Sequence, residues 1–266
     1  SQRLAATQRA HDKCSHLNKL LTELVSAGIV VTLWKPNRFA ARLLGGGNHI
    51  KVQLSEDGAA IFGSSNISGR SIETWNEYSG ILRGPIVEQL RWWFLSATES
   101  SWETAPPLTK PVEQATAVCF HWCEPWRNQP FLWPLWVQHS SVTLLMRDQI
   151  DKAQKQILIA SFHFKPPNIL VNSLLDALKR GVEVVVVHSG SDALWVSQWP
   201  WLAAAATYTQ FLRSGLDLYE VPQGMHSKII CVDERWAAFG SYNFESAADD
   251  RLAEAMISTH DPNLIE

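Results

Sequence analysis

The sequence contains no uninterrupted apolar run of about 18 residues, so it predicts no membrane-spanning helix. Lys and Arg number 23 against 26 Asp and Glu, a net charge of −3. That balance excludes a broad basic field for a nucleic-acid backbone, although a local basic groove stays open. Only four cysteines occur, Cys14, Cys119, Cys123 and Cys231, and they form neither a disulfide ladder nor a CxxC pair. Cys119 and Cys123 flank His121, but no fourth ligand stands at a usual zinc spacing. Structural or free thiols are therefore expected. The remainder is ordinary for a globular chain, with 46% hydrophobic and 18% charged residues among 266. That length allows one large domain or two small ones.

Tryptophan is abundant, with thirteen in all. Seven of them are Trp92, Trp93, Trp102, Trp122, Trp126, Trp133 and Trp136. Packing between halves is the first expectation for this group. An indole rim at a lipid interface is the alternative.

An internal repeat organises the chain. MHSKIICVDERWAAFGSYNFESAADDRLAEAM (225–256) carries His226, Lys228, Asp233, Gly240, Ser241, Asn243 and Glu254. NHIKVQLSEDGAAIFGSSNISGRSIETWNEYSG (48–80) carries His49, Lys51, Glu56, Gly63, Ser64, Asn66 and Glu77. All seven pairs share one common offset, and a register kept over a span of this length marks a true repeat.

Periodicity predicts the elements around it. Residues 6–27 read as a helix with Leu17, Leu20, Leu21 and Leu24 on one face, closed by Gly28. IVVTLW (29–34) reads as a buried strand. HIKVQL and AAIFGS form a hairpin across SEDG, NEYSGILR returns as a strand, and GPIVEQLRWWFLSA is a helix. Residues 99–140 read as a Pro- and Trp-rich linker, the stretch FHWCEPWRNQPFLWPLW having no clean period. Beyond it VTLLM (142–146) reads as a strand and DQIDKAQKQ as a helix. ILIASFHF, PNILVNSLLDALKRG and VEVVVVH make a βαβ unit. A helix ending near Arg213 and the strand LDLYEV precede the second motif. A full βαβ unit with a further helix and strand thus leads up to His226. Only one helix and one strand lead up to His49. The first half therefore reads as lacking its N-terminal strands, a naturally abbreviated half being the alternative.

Residues two apart on a strand share a face. His49 therefore points with Lys51, and His226 with Lys228. Ser64, Asn66, Ser241 and Asn243 fall near strand ends. Two copies facing each other supply two imidazoles among cationic and neutral donors, which suits a phosphodiester. Lysines and amides hold the non-bridging oxygens, whose charge grows on attack. One neutral histidine can attack phosphorus while the other, protonated, gives its proton to the leaving alkoxide. Glu77 and Glu254 are candidates to fix the histidine tautomers. A lone His-x-Lys or Gly-Ser-x-Asn would be surface or turn decoration; two full sets at one spacing are not. His163 and His188 sit at strand ends, where ligand-facing residues often lie, but are expected instead to be hydrogen-bonded core groups. His11, His16, His121, His139 and His260 are expected at the surface.

H-x-K-x4-D followed by G-S-x-N resembles the signature of the phospholipase D superfamily. The second copy matches fully. The first has Glu56 in the aspartate slot with Asp57 beside it. The resemblance covers residues 17–95 and 142–260. ALKRGVEVVVV, MHSKIICVDERWAAFGSYN and RGPIVEQL are most similar to bacterial cardiolipin synthases. It implies an α/β, phospholipase D-like fold of two halves with mixed sheets, related by a pseudo-twofold axis. The halves would be 1–98, incomplete at its start, and 141–266, joined by the 99–140 linker. It implies a catalytic set of His49, Lys51, Ser64, Asn66, Glu77, His226, Lys228, Asp233, Ser241, Asn243 and Glu254. The reaction would run through a phosphohistidine without metal or other cofactor, with His49 as nucleophile and His226 as acid, then base. Phosphatidylglycerol would be the substrate, at the surface of a bacterial cytoplasmic membrane. A hydrolase releasing phosphatidic acid, a nuclease (against which the acidic balance argues) and a non-catalytic scaffold are the alternatives.

Overall fold

The computed structural model describes residues 15–31, 46–98, 117–124, 139–193 and 199–266. It divides into two compact units, Ser1–Trp34 and Lys35–Glu266. In the first, residues 15–26 form a helix, α1. Gly28 ends it at φ +83°, with Gly28 N donating to Val25 O and Ile29 N to Leu24 O. Residues 29–31 are not a strand, and Val30 is 90% exposed. The apolar run there gains no partner strand among the described residues; 32–34 and 6–14 lie outside them.

The second unit holds both repeats. The first contributes β1 (Gly47–Asn48), β2 (Val52–Leu54), β3 (Ala59–Gly63), α2 (Gly69–Glu73), β4 (Ser79–Arg83) and α3 (Pro85–Thr98). β5 (Val118–Cys123), α4 (Ser141–Lys152), β6 (Gln156–Ser161), β7 (Phe164–Lys165), α5 (Asn168–Lys179) and β8 (Glu183–Ser189) follow. The chain ends with α6 (Trp199–Arg213), β9 (Asp217–Val221), β10 (Ile229–Val232), β11 (Trp236–Gly240), β12 (Phe244–Glu245), α7 (Ser246–Asp250), β13 (Leu252–Thr259) and α8 (Pro262–Ile265).

A mixed sheet runs β1-β13-β11-β10-β6-β8-β9, with β5 also on β13. β6, β8 and β9 are parallel, as the βαβ pattern predicts, and β10, β11 and β13 are antiparallel. β2, β3 and β4 form a separate antiparallel sheet. Its Ala60, Phe62 and Leu82 meet Leu90 and Trp93 of α3. Phe120, Ala255 and Ile257 of the large sheet complete that core, so the repeats share it. A second core lies between the large sheet and α4 and α5, around Met146, Ile150, Leu170, Leu174, Ile159 and Val186.

Two expectations need correcting. Residues 142–146 are not a strand but the first turns of α4. Ser140 caps that helix by accepting from Thr143 N at 3.1 Å. A short apolar run cannot be told from a buried helix face by period alone. Within the expected linker, Val118–Cys123 is a strand paired antiparallel along β13 from Glu254 to Thr259. Trp93 is buried, and Trp92 and Trp122 pack beside it, so these three are core. Trp102, Trp126, Trp133 and Trp136 lie outside the described residues.

Candidate active site

The repeats meet through two matching backbone joints. β1 pairs parallel with Leu252–Ala253, and His49 N donates to Ala253 O at 2.9 Å. At the equivalent place in the second repeat, Met225 bridges Asn76 in parallel, and His226 N donates to Asn76 O at 2.9 Å. Each histidine is thus delivered to the carboxylate strand of the other repeat.

The histidine–carboxylate pairs are accordingly crossed. His49 Nδ1 donates to Glu254 Oε1 at 2.9 Å and lies 3.1 Å from Ser241 O. His226 Nδ1 donates to Glu77 Oε2 at 2.8 Å. An imidazole held this way keeps its Nε2 as the reactive nitrogen. Neither Nε2 has a hydrogen-bond partner among the described residues.

The Gly-Ser step builds the carboxylate end. Ser64 N donates to Tyr78 O at 2.9 Å and Tyr78 N to Ser64 Oγ at 3.0 Å. Ser241 N and Ala255 N repeat this with Ala255 O and Ser241 Oγ at 2.9 and 3.0 Å. The two strands come so close that a Cβ on Gly63 would lie 2.3 Å from Tyr78 O, and one on Gly240 2.2 Å from Ala255 O. Only glycine fits. Each serine hydroxyl then donates to its neighbouring carboxylate, Ser64 to Glu77 and Ser241 to Glu254. Ser64 and Ser241 are therefore positioning residues, their protons already committed. Ser71 adds a further hydroxyl to Glu77; the second repeat has Ala248 in that slot.

Both lysines sit beside their histidines. Lys51 Nζ donates to His49 O at 2.6 Å, and Lys228 Nζ to His226 O at 2.5 Å. Burial lowers Lys51 to about 8, and burial followed by repulsion from Lys51 lowers Lys228 to about 7. Burial also lowers His226 to about 4 against the raising effect of Glu77, with Lys228 and Lys51 adding to the fall. Burial pushes Glu77 up, but hydrogen bonds from His226, Ser64 and Ser71 outweigh it and hold the carboxyl at about 2.

Asp233, expected in this set, lies elsewhere. It follows β10 while His226 precedes it, roughly 20 Å apart along an extended chain. Its carboxylate accepts from Gln154 N, Lys155 N and Gln156 N at 2.9, 2.7 and 2.9 Å. Arg235 pairs with it at 2.5 Å. Burial raises its carboxyl, and the three amides and Arg235 bring it down to about 2. Asp233 thus pins the start of β6. In the first repeat Asp57 holds only its own turn, accepting from Ala59 N at 3.2 Å, and Glu56 is exposed. No strand adjoins the free edge of β2 among the described residues, which leaves the aspartate slot nothing to pin. Asp233→Asn should cost about 1–3 kcal/mol in urea unfolding while folded enzyme keeps its rate. The carboxyl is depressed by folding, so its stabilisation is present above pH 4 and is lost as pH falls through about 2. Activity lost with stability intact would return Asp233 to the chemistry.

Several residues at the site escaped the sequence. Trp75, two positions before Glu77, stacks on His226 with centroids 4.6 Å apart. Phe162 meets the same ring edge-on at 5.0 Å. His163 packs on Phe162 at 4.5 Å. Burial lowers it to about 4, and the charges of Lys228, His226 and His49 act on it, so it is part of the site's wall. His188 is the buried group expected, 3.5 Å from Tyr208 Oη and 3.7 Å from Glu220 Oε1. His121, expected at the surface, is half-buried and bonds to Ser258 at 2.8 Å, while His139, exposed as expected, bonds to Asp249 at 2.7 Å. Asn66 lines a pocket of about 190 Å³ with Lys51, Gly63 and Ile67. Asn243 Nδ2 donates to Glu245 Oε1 at 3.2 Å. Glu245 stands two positions after the motif asparagine, a placement the motif spacing could have flagged.

Residues 146–266 match the family model described as "Cardiolipin synthase, PLD-like domain". Cardiolipin synthase B of Shigella flexneri is 23% identical over 265 residues, covering 92% of this chain and 60% of that protein. A phospholipase D of Rickettsia bellii is 31% identical over 128 residues, covering 48% of this chain and 60% of that one. The crystal structure of phosphatidylserine synthase from Haemophilus influenzae superposes with a TM-score of 0.61 at 13% identity, covering 84% of this chain and 60% of that one. This last likeness is one of fold. The chain spans about 60% of the length of the curated relatives it matches. Residues 146–266 thus resemble a phospholipase D-like domain, and the likeness to the phospholipase D superfamily, legible in the two motifs, is borne out by the family model and the named relatives.

Proposed function

We propose that the chain is a phospholipase D-type phosphatidyltransferase, exchanging the headgroup alcohol of a phospholipid for another alcohol. The crossed His–Glu pairs carry this reading: two histidines, each oriented by the opposite repeat, stand beside the buried Lys228 and the half-buried Lys51. In the first step His49 Nε2 attacks phosphorus. A P–N bond forms as the P–O bond to the headgroup breaks, and protonated His226 gives its proton to the alkoxide. In the second step His226 takes the proton of the incoming hydroxyl, whose oxygen bonds phosphorus as the P–N pair returns to His49. Lys51, Lys228, Asn66 and, through the Nδ2 hydrogen that Glu245 leaves free, Asn243 hold the non-bridging oxygens.

Cardiolipin synthase-like transfer, joining two phosphatidylglycerols with loss of glycerol, fits the named relatives best. The enzyme would work peripherally at a bacterial cytoplasmic membrane; no helix among the described residues is long and apolar enough to cross one. A second assignment exchanges the two histidines. It rests on burial of His226, which holds that ring neutral at pH 7 and suits it to attack. Hydrolysis to phosphatidic acid is favoured by the Rickettsia relative's name. Purified chain on phosphatidylglycerol vesicles, with lipids read by mass spectrometry, should yield cardiolipin and glycerol. Phosphatidic acid alone would replace the transferase with the hydrolase, and no lipid product would remove phospholipid as the substrate.

A further inference from the structure

The repeats carry the same reactive residue types, yet one slot beside them differs in charge. Two positions after the motif asparagine stands Ser68 in the first repeat and Glu245 in the second. Ser68 is exposed and caps α2. Glu245 ends β12, which pairs with Phe164–Lys165 just beyond His163, and it accepts from Asn243 Nδ2 at 3.2 Å. Asn243 is only 5% exposed, and its Oδ1 has no hydrogen-bond partner among the described residues. Burial, then repulsion by Glu254, raises the Glu245 carboxyl, while its charge acts in turn on Lys228.

Glu245 and Asn243 Oδ1 are therefore two acceptors, the second without a partner among the described residues, in a site whose other carboxylates, Glu77 and Glu254, are already held by the histidines. Non-bridging phosphate oxygens carry no hydrogen and can satisfy neither one. A buried acceptor left unpaired costs about 1–3 kcal/mol, so a donor from the substrate is rewarded. An ammonium could donate, but it would be desolvated beside Lys51 and Lys228, which repel it. A neutral hydroxyl meets no such opposition. A motif duplicated without change would treat both ends of a phosphodiester alike; the Ser68/Glu245 difference makes the ends distinct.

We propose that Glu245 and Asn243 Oδ1 form a hydroxyl-binding subsite that selects a polyol, glycerol-like alcohol on the phosphodiester. This rests on the phosphodiester reading of the same site. Glu245 would be a specificity residue, and a site built to hydrogen-bond a hydroxyl rejects an analogue that lacks it.

Titration calorimetry tests this with three phosphate esters: glycerol 1-phosphate, ethyl phosphate and ethanolamine phosphate. Wild-type chain should bind glycerol 1-phosphate about tenfold more tightly than ethyl phosphate. Glu245→Met and Glu245→Ser, the second bringing in the first repeat's residue, should each reduce that ratio to within about twofold. Ethyl phosphate serves as the internal control for folding and for the phosphate pocket in each variant. A wild-type ratio near one, or a ratio kept by both variants, overturns the subsite alone. Preference for ethanolamine phosphate overturns the hydroxyl assignment. Binding of neither glycerol nor ethyl ester overturns the phosphodiester site together with the subsite.

Discussion

Replacing His226 by Ala should lower phosphodiester turnover by about 10³- to 10⁵-fold, and replacing His49 should do the same. Each ring is the only partner of the other in a two-step exchange, so the double variant should lose little more than either single one. Residues that act as a unit are non-additive in this way. His226 also fills the space between Trp75 and Phe162, with ring centroids 4.6 and 5.0 Å away. Alanine would leave a hole there, and His226→Gln is the control that keeps most of the volume. Initial rates on a chromogenic phosphodiester decide the matter. A fall of less than tenfold in both His226 variants would remove this ring from the chemistry. Losses that multiply in the double variant would mean that the two histidines serve separate sites.

Lys228→Met should do two opposite things: abolish most activity and stabilise the fold. Lys228 is fully buried, and folding lowers its pKa from 10.5 to about 7. Between those values the unfolded chain holds a proton that the folded chain releases, so wild-type stability rises with pH across that window. Below pH 7 the charge must be buried, and its cost is at its fullest there. A methionine removes that cost. The variant should gain about 1–4 kcal/mol near pH 7 and below, and the gain should shrink toward pH 10. Its kcat/KM should drop about 10²- to 10³-fold, because the ammonium that meets charge on the transferring phosphoryl group is gone. Urea unfolding of both proteins from pH 6 to 10 measures the first effect. A variant less stable than wild type at pH 7 would mean that Lys228 holds the fold together and is not a strained catalytic group. Lys51, lowered to about 8, should make the alkaline limb of the rate profile a joint property of the two lysines.

The reactive residue types were readable because the chain states them twice. One copy of His-x-Lys or Gly-Ser-x-Asn carries little information; the offset common to all seven pairs made them one site. Strand parity paired His49 with Lys51 and His226 with Lys228, but both pairs lie just before their strands, which begin at Val52 and Ile229, and it is the backbone carbonyl of each histidine that its lysine reaches. The crossing of Glu77 to His226 and Glu254 to His49 was not readable, since it depends on how two distant segments dock. The role of Asp233 was hidden by the motif itself. It stands beside the reactive residues in sequence, yet its three amide partners, Gln154, Lys155 and Gln156, lie at the entry to β6. Residues 142–146 misled because Val-Thr-Leu-Leu-Met fits a strand as well as a buried helical face, and the cap at Ser140 decides. β5 was missed because aromatic and cysteine positions blur its alternation. Trp75 and Glu245 lay within the repeat but at slots where the two copies differ, and comparing copies for identity passes over such slots.

The central claim is that the two repeats form one site in which a histidine carries the phosphoryl group. Rapid mixing with a phosphodiester, alkaline quenching and peptide mass mapping test it directly. The account predicts one adduct per chain, stable to base and labile to acid, on the imidazole of His49, and its accumulation when His226 is replaced by Gln. An adduct on a serine, or none on either histidine while product still forms, would contradict it.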